Sequence, residues 1–430
     1  MRLYNQFQSV YYVGKYAVVV DFLKNSVYKI ICDKKDFIYQ YSKEYEGIDK
    51  ELSMRLLRKE KKTKIIKVTI VTDLFCNMNC LYCYEARMLE EKKSEKLKVS
   101  TLLAFLEKQC EKNENAQLQL ELVGGEPFMP HNIPFLEELI ACIRERALPV
   151  ILSVTTNGLN ICDYIEEIRR WDIRDFQITI DGLGETHNRR RIPHDRSVNG
   201  FEKISKGIGC LLEENRFVSL RVNIDENNVK GIPELARYII QSGWNLAALW
   251  PYIYPVTQSG SAEYKLDKSE YEILKMILAV LKEESQEIRK VFYLDFHGLD
   301  YLENILHGEI PKLRVTFCGV SNEQFVISND GNIYSCWWGL GMEKFAIGYL
   351  DGRSEKLDDE KIECFKNRSV LLIDRCKKCK FKYICGGGCT YNEWVKHRST
   401  TEGNCAEFDC IFNEYIEYKL EQIPEQAAIL

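Results

Sequence analysis

The sequence predicts an α/β protein: parallel βα units in the middle of the chain, a small α+β unit ahead of them and a cysteine-rich segment behind. Three observations predict it. From Lys67 onward, short apolar runs of strand character alternate with amphipathic helical stretches, which is the pattern of parallel βα units. Polar and glycine-containing breaks follow one strand after another, where sheets of this kind place their chemistry. The chain also holds 17 cysteines, gathered at residues 76–83 and again from residue 318.

Composition narrows the function. A length of 430 residues suggests about two to three domains. A formal net charge of -5 provides no overall basic field, so neither nucleic acid nor an anionic membrane surface is an expected partner. Met1 to Val20 lacks the uninterrupted apolar core of a signal peptide, and no run approaches the roughly 20 apolar residues of a membrane span. The expected location is therefore the cytoplasm. Its reducing conditions argue against a disulfide framework and for metal or cluster ligation by the cysteines.

In order along the chain, residues 1–65 read as a small separate unit. Ser9 to Tyr12, Ala17 to Phe22 and Val27 to Cys32 have strand composition, while Asp36 to Tyr41 and Lys50 to Lys61 read as helical. Residues 66–256 carry six expected strands, at about 68–74, 117–123, 149–155, 175–181, 217–224 and 246–253. Helical stretches fall between them, such as Val99 to Lys112, Ile133 to Arg146 and Gly231 to Ser242. Residues 257–310 form an expected bridge, with a helix over Leu266 to Glu284, and residues 311–430 hold the dense cysteines.

Cys76, Cys80 and Cys83 follow the first strand, with Tyr82 between the last two. A [4Fe-4S] cluster normally takes four cysteines, so three leave one iron open to a non-protein ligand; zinc or plain buried thiols are the alternatives. Gly124-Gly125-Glu126-Pro127 follows the second strand, Thr155-Thr-Asn-Gly158 the third, Thr179-Ile-Asp181-Gly182 closes the fourth, and Asn223 and Asp225 close the fifth. A Gly-Gly pair lets backbone approach a ligand and offers carbonyls to an ammonium group.

This C-x3-C-x2-C motif, with the Gly124 motif about 40 residues behind it, resembles the radical S-adenosylmethionine superfamily. The resemblance implies an open partial (β/α)6 TIM-like barrel whose open iron chelates S-adenosylmethionine. It further implies that Gly124, Gly125 and Glu126 hold the amino group, with Thr179, Asp181 and Arg191 near the ribose and carboxylate. Arginine suits a carboxylate through its two-pronged donor fork. The aromatic stretch Trp250 to Pro255 is a candidate wall of the substrate cavity.

The later cysteines, Cys318, Cys336, then Cys376-x2-Cys379-x5-Cys385-x3-Cys389, Cys405 and Cys410, match the order and spacing of the SPASM domain of peptide- and protein-modifying relatives. That resemblance implies two auxiliary [4Fe-4S] clusters, three in all. Cluster I would use Cys318, Cys336 and Cys389. Cluster II would use Cys376, Cys379, Cys385 and a late cysteine, Cys410 preferred and Cys405 competing. The implied activity is maturation of a ribosomally made peptide by a 5'-deoxyadenosyl radical, installing a thioether or carbon-carbon crosslink. A precursor peptide bearing a leader and an electron donor such as flavodoxin or ferredoxin are the implied partners. Residues 1–65 resemble a leader-recognition element that binds by strand addition, with a structural cap over the barrel as the alternative. Anaerobic sulfatase maturation to formylglycine, or a non-catalytic iron-sulfur peptide binder, are the alternatives. No catalytic side chain is assigned. Cys32, Cys110, Cys142, Cys162, Cys210 and Cys364 are expected to be inert.

Overall fold

The computed structural model describes residues 2–13, 16–31, 37–60, 65–85, 97–113, 117–256, 264–319, 324–352 and 354–420. Cys32 lies outside the described residues. The chain divides into two compact units that interleave along the sequence: residues 1–63, 295–322 and 363–430 form one, and 64–294 with 323–362 form the other.

In the first unit, β2 (Gln8–Val13), β3 (Tyr16–Asp21) and β4 (Ser26–Ile31) form an antiparallel sheet with β3 central. A second, parallel pair joins β1 (Arg2–Tyr4) to β5 (Phe37–Tyr39). The helical expectation over Asp36 to Tyr41 is thereby corrected. Aromatic and β-branched residues suit a strand, and the partner lies more than 30 residues away, with the Tyr4 and Tyr39 rings 5.6 Å apart. Lys43–Glu60 is the helix that follows. Its Leu52 and Leu56 join Phe7, Leu23 and Tyr45 in one core with Val315, Val370, Ile373 and Tyr383. The early and late segments of this unit share that apolar interior.

Among the described residues, the second unit contains a sheet of eleven strands. Its parallel centre comprises β6 (Ile65–Val71), β8 (Gln117–Val123), β9 (Val150–Thr156), β10 (Asp175–Thr179), β12 (Phe217–Ile224) and β13 (Leu249–Pro255), with β7 (Met78–Cys80) and β11 (Arg191–Pro193) forming a separate antiparallel pair. These six are the expected barrel strands. Two further strands extend the parallel array: β14 (Tyr293–Leu294) beside β13, and β15 (Gln324–Ile327) beside β6. From β15 the sheet continues antiparallel through β16 (Asn332–Tyr334), β17 (Ala346–Asp351) and β18 (Ser354–Leu357).

The two faces of the parallel strands differ in chemistry. Ile66, Val68, Ile70, Leu118, Leu120, Leu122, Val218, Leu220 and Val222 alternate onto one face and are buried. Helices such as Val99–Lys112, with Leu102, Leu103, Phe105 and Leu106 buried, supply the matching apolar stripe. Each such side chain contributes roughly 1.5–3 kcal/mol on burial. By register, the opposite face carries Thr69, Glu121, Ser153, Thr155, Gln177, Thr179, Arg221, Asn223, Tyr252 and Tyr254. Closed (β/α)8 barrels fill this face with branched apolar residues. Here it is polar, which suits a ligand-holding interior.

Candidate active site

The three-cysteine loop is fastened to two neighbouring rim segments by backbone. Gly125 N donates to Asp73 O at 2.9 Å and Glu126 N to Phe75 O at 2.8 Å. A Cβ on Gly124 would overlap the Asp73 carbonyl, and one on Gly125 the Phe75 carbonyl. Glycine at both positions is therefore required by the loop itself, whatever they do for a ligand. On the other side β7 pairs with β11, which sets Cys80 opposite Arg191, and Leu81 N donates to Arg190 O at 2.9 Å.

Side chains complete the attachment. The Glu126 carboxylate is fully buried and accepts from Thr156 Oγ1 at 2.7 Å, Asn157 N at 2.7 Å and Phe128 N at 2.9 Å. Asn157 Nδ2 in turn donates to Asn77 Oδ1 at 2.7 Å and lies 3.6 Å from Cys76 Sγ. Tyr82, inside the cysteine motif, donates to Asp181 Oδ2. Its oxygen accepts from Arg191 Nη1 and Asn223 Nδ2, both at 3.1 Å. Asp181 Oδ1 accepts from Asn223 N at 3.1 Å. Glu126 and Asp181 thus spend their oxygens on holding the loop against β9 and β12. The sequence marked the aromatic at position 82 but not its bridging role, nor that of Asn157.

The three adjacent arginines separate by environment. Arg189 is solvent-exposed and pairs with Glu185 at 2.6 Å. Arg190 is buried and spans Asp225 at 2.9 and 3.0 Å and Tyr264 at 2.8 Å, and its Nε, which has no hydrogen-bond partner, lies 3.5 Å from Asp181 Oδ2. Arg191 is buried with Nη1 on Tyr82, while its Nε has no hydrogen-bond partner. Burial opposes its charge, and the neighbouring Cys80, Tyr82 and Asp181 overcome this and keep it protonated. A buried guanidinium with an unmet donor beside three cysteines fits an anionic group bound there.

The three loop cysteines lie in a buried setting that disfavours free thiolates. Burial pushes the Cys76 thiol up to about 12 and raises those of Cys80 and Cys83. Glu85, two residues after Cys83, is held up to about 7 by the same burial. Among the described residues no three His, Cys, Asp or Glu side chains converge on a single-ion position; a cluster, whose thiolates each take a different iron, makes no such demand.

Below the rim, the inner face forms a hydrogen-bonded chain. Thr155 Oγ1 donates to Glu121 Oε1 at 2.8 Å, Gln177 Nε2 to Thr155 Oγ1 at 3.4 Å, and Tyr252 OH to Gln177 Oε1 at 2.7 Å. Burial raises the Glu121 carboxyl pKa. The Arg221 guanidinium lies 4.1 Å from the Tyr254 ring centre. The Tyr84 ring stands 5.3 Å from Trp337 and 4.5 Å from Trp338, which places the residues following Cys336 beside the three-cysteine loop.

In the other unit, Cys376, Cys379 and Cys385 lie on consecutive short turns. Burial is the first cause that raises all three thiols; Cys379 adds to Cys376, both add to Cys385, and Cys405 contributes to all three. A Cβ on Gly403 would lie 3.3 Å from Cys376 Sγ, and Gly388 lies against Asn404 closely enough to exclude any side chain. The structure thus brings Cys405, rather than the preferred Cys410, to this group. Both late cysteines are exposed; Cys410 stands on the helix Phe408–Leu420 and is not among the main groups acting on the three thiols. The buried Arg368 ties this region together, pairing with Glu393 at 2.7 Å and donating to the Gly387 and Gly388 carbonyls.

A polar-lined sheet with three cysteines and a buried arginine at its carboxyl rim suits an iron-sulfur enzyme that handles a small anionic cofactor. Residues 70–239 match the Radical SAM superfamily, which supports a radical S-adenosylmethionine enzyme and implies that cofactor and a [4Fe-4S] cluster. It is 24% identical to a cysteine-type anaerobic sulfatase-maturating enzyme of Clostridium novyi, over 79% of this chain and 92% of that one. Among solved structures it resembles anSMEcpe with bound AdoMet, at TM-score 0.62 and 20% identity over 82% and 95% of the two chains. It also resembles Streptococcus suis SuiB bound to precursor peptide SuiA, at TM-score 0.56 and 14% identity over 94% and 99%. These likenesses support the partial barrel with a C-terminal SPASM domain.

Proposed function

We propose that this enzyme matures a ribosomally made precursor peptide, installing a thioether or carbon-carbon crosslink. The observation that carries the radical chemistry is Arg191, buried with an unmet donor beside the cysteine loop. In this reading Cys76, Cys80 and Cys83 hold the cluster, Arg191 takes the cofactor carboxylate, the Gly124-Gly125 backbone its amino group, and Thr179 lies near the ribose. Glu126, Asp181 and Tyr82 position these groups. When bound, cluster and cofactor supply a 5'-deoxyadenosyl radical that removes a hydrogen atom from a substrate carbon. The polar inner face around Glu121, Gln177 and Arg221 orients the substrate side chain below the rim.

Two auxiliary clusters complete the proposal. Cys376, Cys379, Cys385 and Cys405 hold one, while Cys318, Cys336 and Cys389 serve the other. A small ferredoxin or flavodoxin supplies the electron.

The peptide reading is supported by coverage: the SuiB likeness leaves out only 6% of this chain, less than residues 1–63, so part of that segment has a counterpart in a structure holding a precursor peptide. Sulfatase maturation is the second reading, favoured by the length matched in the Clostridium relative.

The test is anaerobic reconstitution, iron counting and a 5'-deoxyadenosine assay with dithionite, comparing wild type with Cys76→Ala, Cys80→Ala, Cys83→Ala together. About twelve irons, with nucleoside lost in the variant, supports three clusters and the radical site. No nucleoside from the iron-loaded wild type would overturn it. Short peptides encoded beside the gene then separate the readings. A crosslink removes two hydrogens and leaves no aldehyde, whereas formylglycine carries an aldehyde that reacts with a hydrazide.

A further inference from the structure

Away from the cluster ligands, two cysteines stand together. Cys162 lies in the short helical turn Ile161–Tyr164, just beyond the Thr155-Thr-Asn-Gly158 rim, and Cys210 lies on the helix Gly200–Glu213. Their sulfurs are 3.2 Å apart across a 48-residue separation. We propose that Cys162 and Cys210 are a reversible dithiol-disulfide pair, oxidised by a small-molecule disulfide, that clamps this helix to the segment behind the cofactor rim.

Three features of the seam argue for it. Lys203 pairs with Asp163 at 3.0 Å on the same helix and turn, fixing their register. Gly207 lets the helix come close: a Cβ there would lie 3.0 Å from Gly158 O and 3.1 Å from Ile161 Cβ. Both thiols are partly exposed, so a small oxidant reaches them. Closing the bond needs an approach of only about 1 Å from the present sulfur separation.

The exchange balances with one equivalent of a disulfide such as oxidised glutathione. One thiolate attacks, forming a mixed disulfide and releasing one glutathione thiol; the second protein thiol displaces the other. The protein loses two hydrogens and two electrons, and glutathione disulfide becomes two thiols. Burial first, then the partner sulfur, pushes the Cys162 thiol up to about 11, so the opening attack is slow at neutral pH while the ring-closing step is intramolecular.

The experiment treats the reconstituted protein with oxidised glutathione without oxygen, then blocks free thiols and maps peptides by mass spectrometry. Wild type should give a Cys162–Cys210 linked peptide that dithiothreitol reverses. Cys162→Ser and Cys210→Ser should instead each retain a glutathione adduct on the remaining cysteine. Oxidation should raise the melting temperature of wild type by about 4 °C or more and leave both variants unchanged. Separate, stable glutathione adducts on both cysteines of wild type, or reaction at the exposed Cys364 with none at this pair, would overturn the proposal. Neither result bears on the radical chemistry.

Discussion

At the scale of the residue, the site sorts charged groups by what already occupies them. Both Arg190 and Arg191 keep a buried Nε without a hydrogen-bond partner, but Arg190 has its two Nη groups on Asp225, Tyr264 and the Asn223 carbonyl and pairs with two carboxylates, whereas Arg191 has Nη1 on the Tyr82 hydroxyl. Arg191→Lys should therefore weaken S-adenosylmethionine binding roughly 10- to 100-fold, because a point charge does not replace a two-pronged donor. Anaerobic equilibrium dialysis reads the affinity, with iron content as the control; unchanged affinity would place the carboxylate elsewhere. His187 makes a second prediction. It is fully buried, its Nδ1 accepts from Asp181 N at 3.3 Å, and burial, then Arg191 and Arg190, hold its pKa well below the usual value. A folded pKa below the unfolded value of about 6.5 means its contribution is whole above that pH and is lost as pH falls through it. Urea midpoints of wild type should drop between about pH 6.5 and 5 more steeply than those of His187→Asn. Equal slopes would show that the ring is not kept neutral.

At the scale of the element, glycine marks where segments must touch. Gly125→Ala should cost the barrel cluster, seen as loss of about four irons and of nucleoside formation, because the added methyl meets the Phe75 carbonyl. Gly209→Ala is the matched control. It sits on the helix Gly200–Glu213 with open space around it, so it should stabilise by about 0.5–1 kcal/mol in chemical unfolding. A cluster retained in Gly125→Ala would separate the glycine motif from cysteine-loop placement. These contacts also show what the chain made legible. The six barrel strands and the cysteine loop were readable because alternation and spacing are local. The first strand is expected at 68–74 and runs Ile65–Val71, since Thr72 and Asp73 turn their side chains onto Val123 O and Phe75 N. The pairing of β1 with β5, the joining of β15 to β6 and the gathering of Cys405 with Cys376 depend on partners distant in sequence. No local pattern encodes them.

At the scale of the whole molecule, the decisive question is whether residues 1–63 are a detachable recognition module. Their core contradicts easy removal. Phe7, Leu23, Tyr45, Leu52 and Leu56 are packed with Val315, Val370, Ile373 and Tyr383. Asp49 on the helix Lys43–Glu60 pairs with buried Lys382 at 2.7 Å and accepts from Tyr383 OH at 2.6 Å. Lys382 and Tyr383 lie in the turn that ends at Cys385. Deleting residues 1–63 leaves that ammonium without its counterion, at a cost of about 3–5 kcal/mol for a fully buried pair, and bares an apolar surface. The truncated chain should aggregate or lose the irons proposed for Cys376 to Cys405, keeping only about four at the barrel. Asp49→Ala is the milder probe, because Asp49 is partly exposed: stability should fall by about 1–3 kcal/mol with the barrel cluster intact. A soluble truncation with full iron that merely fails to retain a precursor peptide would show the opposite, that strands β2 to β4 serve recognition and contribute little to the fold. In that case the shared core would be a docking contact rather than one interior, and Asp49→Ala would leave stability unchanged.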